Sequence, residues 1–376
     1  MSTALPDEDA VRSALATVID PELRRPITEL GMLESVIITD RTVRIRVLLT
    51  IAGCPLRETI VHDAETALSA VAGVERVDVE LGVMNQEQRN ALKEQLKGPG
   101  GRRGIPFNEP SSLTRVYAVA SGKGGVGKSS VTVNLAVAMA AQGLRVGVVD
   151  ADVYGFSVPA LLGITQQPTR VDELILPPVA HGVKVISIGM FVDGNQPVSW
   201  RGPMLHRALE QFLTDVYFGD LDVLFLDLPP GTGDIAISVA QLLPSSELLV
   251  VTTPQSAAAD VAERAGAMAA QTGQRVAGVI ENMSWLELPD GGRLELFGAG
   301  GGSTLATRLS ATLGTEIPLL GSIPLELALR EGGDRGLPIV LDGGASRARE
   351  ELGAIASALA RRPRGLEGLK LPVSVR

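Results

Sequence analysis

The sequence predicts an α/β protein: a large, mostly parallel sheet covered by helices on both faces, preceded by a small α+β domain. Three observations carry that expectation. From residue 116 onward, short and fully apolar runs alternate with helical patterns. A glycine-rich loop joins the first of those runs to the first of those helices. A basic, glycine-rich stretch at 98–104 separates everything before it from everything after.

The first domain opens with Val11, Leu15 and Val18 at helical spacing behind Asp7, Glu8 and Asp9, acidic residues that suit a helix N-terminus. Val43, Ile45, Val47 and Leu49 then alternate with Arg44 and Arg46, as in a half-buried strand. From Pro55 a helical pattern places Leu56, Ile60, Ala64, Leu68 and Val71 on one side, and Val77, Val79 and Leu81 alternate again. The polar stretch 85–97 reads as a short helix or as the approach to the linker. Gly98-Pro99-Gly100-Gly101-Arg102-Arg103-Gly104 is a flexible linker by composition. This divides the chain into a small α+β domain at 1–90, a linker at 91–112 and a large α/β domain at 113–376.

The large domain has continuous aliphatic runs at 116–120, 146–149, 223–226, 248–252, 276–280 and 319–323, bounded by Gly, Pro or Asp. Apolar strands separated by helices form a parallel sheet buried on both faces. Ligands of such sheets sit at the carboxyl ends of the strands, and the motifs fall there.

Composition bounds the rest. A chain of 376 residues has the length for one large core and one small one, and 45% hydrophobic with 20% charged residues is a globular balance. Aromatics are 3%, so Val, Leu, Ile and Ala fill the cores. A net charge of -9 argues against a general nucleic-acid binder. The start, MSTALPDEDAV, lacks the basic and apolar regions of a secretory signal, and no apolar run has the length of a membrane span. The expectation is a cytoplasmic protein with neither nucleic-acid nor membrane partners. The one cysteine, Cys54, allows no internal disulfide and no Cys-x-x-Cys site.

Directly after the first apolar run comes Ser121-Gly122-Lys123-Gly124-Gly125-Val126-Gly127-Lys128-Ser129-Ser130. Gly122, Gly127, Lys128 and Ser129 fit G-x-x-x-x-G-K-[ST] in a strand–loop–helix context, which makes the large domain a P-loop NTPase. Glycines let the backbone curl so that its N–H groups converge on phosphate oxygens, and the helix start adds its positive dipole end. Lys128 is expected on the β- and γ-phosphates, with the Ser129 hydroxyl on Mg²⁺. Lys123, inside the loop, reads either as a solvated lysine or as a second phosphate-binding cation.

Asp150-Ala151-Asp152 closes the second run. Two carboxylates at i and i+2 at a strand end are expected to point the same way. Asp150 would hold Mg²⁺ through water and Asp152 would orient an attacking water; turn or helix-capping aspartates are the plainer reading. The run at 223–226 ends in Asp227, a Walker-B arrangement with Asp227 toward Mg²⁺. Pro229-Pro230-Gly231-Thr232-Gly233-Asp234 follows as a switch loop.

These residues resemble a known family. Lys123-Gly124-Gly125-Val126-Gly127-Lys128-Ser129 is similar to the deviant Walker A loop of the MinD/ParA/nitrogenase-iron-protein superfamily. Asp150-Ala151-Asp152-Val153-Tyr154-Gly155, Trp200-Arg201-Gly202-Pro203-Met204, the 227–234 segment, Glu281-Asn282-Met283 and Phe297-Gly298-Ala299-Gly300-Gly301-Gly302 resemble its Mrp/ApbC branch of iron–sulfur cluster carrier ATPases. So do Ile323-Pro324-Leu325 and Arg330-Glu331-Gly332-Gly333-Asp334. Asp20-Pro21-Glu22, Leu30-Gly31-Met32, and Thr50 with Gly53-Cys54-Pro55 resemble a SufT-like domain.

The resemblance implies a slow ATP hydrolase that delivers iron–sulfur clusters to client proteins or scaffolds, with ATP and Mg²⁺ as cofactors. It implies a homodimer in which Lys123 reaches the partner's nucleotide, with Lys123, Lys128 and Asp152 catalytic. The loop from Gly122 to Ser130 would bind the nucleotide, and Asn282 would read the adenine edge. By residue type alone, Asn282 also fits a strand-end turn residue, the plainer reading.

The sequence departs from the family at one place. A Cys-x-x-Cys is expected shortly after Glu281-Asn282-Met283, but Leu288 and Gly291 stand there. A four-iron cluster normally takes four thiolates, and one cysteine per chain gives a homodimer two. Cys54, between a strand and a helix, reads as a reactive or iron-binding thiol, or as a small half-buried residue. His62, His181 and His206 form no ligand pattern. The alternative is a MinD/ParA-like positioning ATPase that binds no cluster. It needs a membrane or DNA contact, and the tail from Pro363, broken by Pro and Gly, has no basic amphipathic face. Electron transfer of the nitrogenase kind needs a thiolate-held cluster.

Overall fold

The computed structural model describes residues 5–51, 56–97, 104–109, 111–153, 155–191, 202–231, 233–255, 264 and 269–362. They pack as two units, one of residues up to 103 with 168–178 and 215–219, the other of the remainder.

In the first unit, helix α1 (Glu8–Leu15) is capped by Asp7, whose carboxylate accepts from the Ala10 N–H, and it buries Val11 and Leu15. The helix stops at Leu15, so Val18 is buried from the following turn rather than from the helix. Strands β1 (Leu33–Thr39) and β2 (Thr42–Leu49) pair antiparallel. In β2, Val43, Ile45 and Val47 are buried while Arg44 and Arg46 face out, as the alternation requires. Helix α2 (Arg57–Ser69) buries Ile60, Ala64 and Leu68, every fourth residue, and crosses to β3 (Arg76–Val83), parallel to β2. Helix α3 (Gln86–Lys97) runs on past residue 91, where the sequence places the linker, because Leu92 is buried in this unit's core.

The second unit begins with β4 (Arg115–Ser121), α4 (Lys128–Ala141), β5 (Val146–Asp150) and α5 (Val158–Leu161). Then β6 (Thr169–Val171) and β7 (Leu174–Leu176) form a hairpin that belongs to the first unit, with Val171, Leu174 and Leu176 in its core. The chain returns through β8 (Val179–Ala180), β9 (Val183–Ser187), α6 (Gly202–Thr214), β10 (Val223–Asp227), α7 (Asp234–Leu242), β11 (Glu247–Thr252) and β12 (Arg275–Asn282). It ends with β13 (Leu286–Glu287), β14 (Arg293–Leu294), α8 (Gly301–Leu313), β15 (Leu319–Ile323), α9 (Leu327–Asp334) and α10 (Arg347–Arg361). The main sheet runs β15-β12-β11-β4-β10-β5-β9-β8, parallel apart from β8.

The apolar strands inside the sheet bury both faces, as predicted; the run at 319–323 forms the edge strand β15, where Leu319 is exposed and Ile323 is buried. Tyr117, Val119, Val146, Val148, Val223 and Phe225 share one core with α4 and α10. Their neighbours in sequence, Ala118, Val149, Leu224 and Leu226, are equally buried and by the two-residue period face the other way. Strand β9 was not anticipated: Lys184 interrupts its apolar run, yet its side chain is 2% exposed. Among the described residues, no helix is long and apolar enough to cross a membrane.

Candidate nucleotide site

The loop between β4 and α4 lines a cavity of about 310 Å³ with Ser121 and every residue from Lys123 to Ser130. Gly122, half-buried, completes the loop beside them. Asp152, Gly155, Ser157, Leu161 and Pro230 close the remaining walls. Strand β4 lies between β11 and β10; the chain passes from β4 across β10 to β5 and from β10 back across β4 to β11, so the cavity sits where crevices form at the carboxyl ends of such sheets.

Two glycines shape the loop. Gly125 and Gly127 have φ of +79° and +81°, where a side chain is strained. Gly127 also meets Asn282: a Cβ there would lie 2.2 Å from its Nδ2. That Nδ2 donates to the Val126 carbonyl at 2.8 Å, so the end of β12 tethers the back of the loop. The Oδ1 of Asn282 is buried without a hydrogen-bond partner. Asn282 is not among the residues lining the cavity.

Below the loop lies a buried charge cluster. The Lys128 ammonium is 2.7 Å from Asp227 Oδ2, with the side chains 6% and 0% exposed. Ser129 Oγ donates to the same oxygen at 2.5 Å, and Thr132 Oγ1 donates to Asp227 Oδ1 at 2.8 Å. Thr132 was missed in the sequence. Its signal is spacing: four residues past Lys128 on α4, it faces the same side, and its one hydroxyl proton is shared between Asp227 and the Lys128 carbonyl, 3.0 Å away.

Strand register sets Asp150 opposite Asp227. Asp150 Oδ2 accepts from Ser187 Oγ at 3.0 Å and from the Val158 N–H at 3.3 Å. Burial first, and then the charge of Asp227, push its carboxyl up to about 7. The expectation that Asp150 and Asp152 point alike does not hold. Strand β5 ends at Asp150, and the Asp152 N–H turns back to donate to Asp150 Oδ1 at 3.2 Å. Asp152 therefore lines the cavity, with its Oδ1 accepting from the Gly155 N–H at 3.0 Å, while Asp150 lies beneath. Hydroxyls and carboxylates at the foot of a phosphate loop are hard oxygen donors of the kind Mg²⁺ takes, so these residues fit that ion.

Lys123 has a different setting. Its ammonium donates to Gln255 Oε1 at 2.8 Å. Gln255 also escaped the sequence reading; it lies just past β11, which pairs with β4 through Val251 and Ser121. In the switch segment, the Gly231 N–H donates to the Ser121 carbonyl at 2.8 Å. Thr232 lies outside the described residues.

The segment expected to carry Cys-x-x-Cys is a hairpin. Strands β13 and β14 pair antiparallel, and the turn is closed by the Gly291 N–H donating to the Leu288 carbonyl at 2.9 Å. Gly291 takes a φ of +80°, and the Arg293 guanidinium sits 4.3 Å over the Trp285 ring. Among the described residues, no group of three or more His, Cys, Asp or Glu side chains is arranged to hold a metal ion. Cys54 lies outside the described residues.

Two family models match the chain. The NUBPL iron-transfer P-loop NTPase model covers residues 112–360, and an iron–sulfur cluster assembly protein model covers residues 8–81. The iron–sulfur cluster carrier protein of Mycobacterium tuberculosis is 60% identical over 363 residues, 96% of this chain and 95% of the relative. The protein of the same name from Synechocystis is 41% identical over 360 residues, 94% and 96% of the two chains. Among solved structures, a nucleotide-binding protein of Archaeoglobus fulgidus in complex with ADP superposes with a TM-score of 0.52 at 37% identity. The match covers 61% of this chain and 91% of that one.

Proposed function

This chain belongs to the NUBPL-type iron-transfer P-loop NTPase family, and from that premise we propose that it is an ATP-hydrolysing iron–sulfur cluster carrier or assembly factor. It works in the cytoplasm as a homodimer and delivers clusters to apoproteins or scaffolds. The observation that carries the reading is the cavity lined by the phosphate loop from Lys123 to Ser130, with Lys123 and Lys128 both among its lining residues.

In this reading Lys128 exchanges the Asp227 carboxylate for the β- and γ-phosphates of ATP, and the loop N–H groups hold the remaining oxygens. Ser129, with Asp150 and Asp227 directly or through water, would hold Mg²⁺, which neutralises charge on the phosphates. Asp152 orients the attacking water from the cavity wall. Lys123 reaches the nucleotide of the partner subunit, where its charge stabilises the transferring phosphoryl group. Asn282 fixes the loop through the Val126 carbonyl, and the family resemblance gives its amide the adenine edge to read. Hydrolysis is slow, as suits a step that times cluster release.

The cluster is cargo, and the hairpin after β12 offers it no thiolate. Cys54 is the one thiol each chain contributes, so a four-thiolate cluster on the dimer needs two ligands from elsewhere. The test is single-turnover phosphate release, paired with transfer of iron and sulfide from loaded protein to an apoprotein acceptor. Wild type should do both, and Lys128→Ala should lose hydrolysis. A protein that hydrolyses ATP yet never carries iron would instead be a nucleotide-switched scaffold.

A further inference from the structure

The two lysines of the loop are held in opposite ways. The Lys128 charge is matched by the Asp227 carboxylate at 2.7 Å, in full burial. The group facing Lys123 is the neutral amide of Gln255, whose Oε1 accepts a hydrogen bond from the ammonium at 2.8 Å. A neutral acceptor fixes the direction of an ammonium without cancelling its charge.

Gln255 is itself firmly placed. It follows Thr253 and Pro254, and Thr253 is 5% exposed. The first turn of α8 is packed on this stretch so closely that a Cβ at Gly301 would lie 2.4 Å from the Pro254 carbonyl. The Gly302 N–H in turn donates to the buried Glu281 carboxylate at 2.6 Å. The backbone carrying the amide is thus braced from behind by α8 and β12.

We infer that Gln255 is the positioning residue of Lys123: it parks the ammonium over its own subunit's loop, still charged, until a phosphate takes the place of the amide. The inference rests on the reading in which Lys123 acts on phosphate. A carboxylate at 255 would neutralise the lysine and hold it, which gives a chemical reason for an amide at this position.

Three variants test this by phosphate release and by fluorescent-ADP binding. Gln255→Glu should lower kcat by about 10-fold, and Gln255→Ala by only about 3-fold, with ADP affinity unchanged in both. The order is diagnostic. A merely structural role predicts the reverse, because glutamate keeps the shape of glutamine and alanine leaves a gap. Wild-type kcat in Gln255→Glu, or a parallel loss of ADP affinity, overturns the inference provided Lys123→Ala is impaired. If Lys123→Ala itself hydrolyses like wild type, the role of Lys123 has failed, and the role of Gln255 falls with it.

Discussion

The loop after β4 and the hairpin after β12 belong to one unit and are joined through Asn282, yet they carry opposite chemistry. The loop gathers two lysines, two hydroxyls and, beneath it, two buried carboxylates whose hydrogen bonds are set by strand register. The hairpin has turn residues and a cation–π pair where the family resemblance places thiolates. The difference teaches that the phosphate-loop pattern and the expected thiolates are separable in this fold: the loop has its glycines, lysines and hydroxyls, while the hairpin forms an ordered turn with Leu288 and Gly291 where the resemblance places cysteines.

The comparison can be broken at its strongest point first. Lys128→Ala should abolish measurable hydrolysis. It also leaves Asp227 buried without its cation, beside a second carboxylate, and should cost about 3–5 kcal/mol in urea unfolding. Retained hydrolysis would mean that the loop is not the site. Gly127→Ala comes next, because the added Cβ strains a φ of +81° and collides with Asn282. A loss of about 1–3 kcal/mol from the backbone alone is expected, together with loss of ADP binding by calorimetry.

Asp150→Asn has a smaller effect whose sign depends on pH. The folded carboxyl titrates near 7 against an ordinary 3.8, so between those values the folded protein holds a proton that the unfolded chain has released. Stability of the nucleotide-free protein therefore falls as pH rises through that window and stays low above it. Asp150→Asn removes the penalty and should raise Tm more at pH 8 than at pH 5, while weakening Mg²⁺-dependent nucleotide binding. The smallest change is Gly291→Ala in the hairpin. It should cost about 1 kcal/mol for a side chain at positive φ and leave ATP hydrolysis unchanged. A large drop in hydrolysis would tie the hairpin to the loop more closely than Asn282 alone does.

Much of this was legible in the sequence, for reasons the structure makes plain. The phosphate loop, Asp227 and the apolar strands are local patterns, and local pattern is what a sequence displays. Thr132, Ser187 and Gln255 matter because of what stands across a strand or helix from them, which register decides. Asp150 and Asp152 were misjudged as a pair because the strand ends between them and the chain turns. Strand β9 was hidden by Lys184, a charged residue that folding nevertheless buries. The hairpin 168–178 was read as part of the large domain because its allegiance to the first core depends on packing rather than on order along the chain.

The separation of nucleotide site from cargo is tested most directly by anaerobic reconstitution with iron and sulfide, comparing wild type with Cys54→Ala. Bound iron is quantified and ATP hydrolysis is measured on the same samples. The account predicts iron retained by wild type, lost in Cys54→Ala, and hydrolysis equal in both. Stoichiometric iron retained by Cys54→Ala would contradict it, because the cargo would then be held by residues other than the chain's one thiolate.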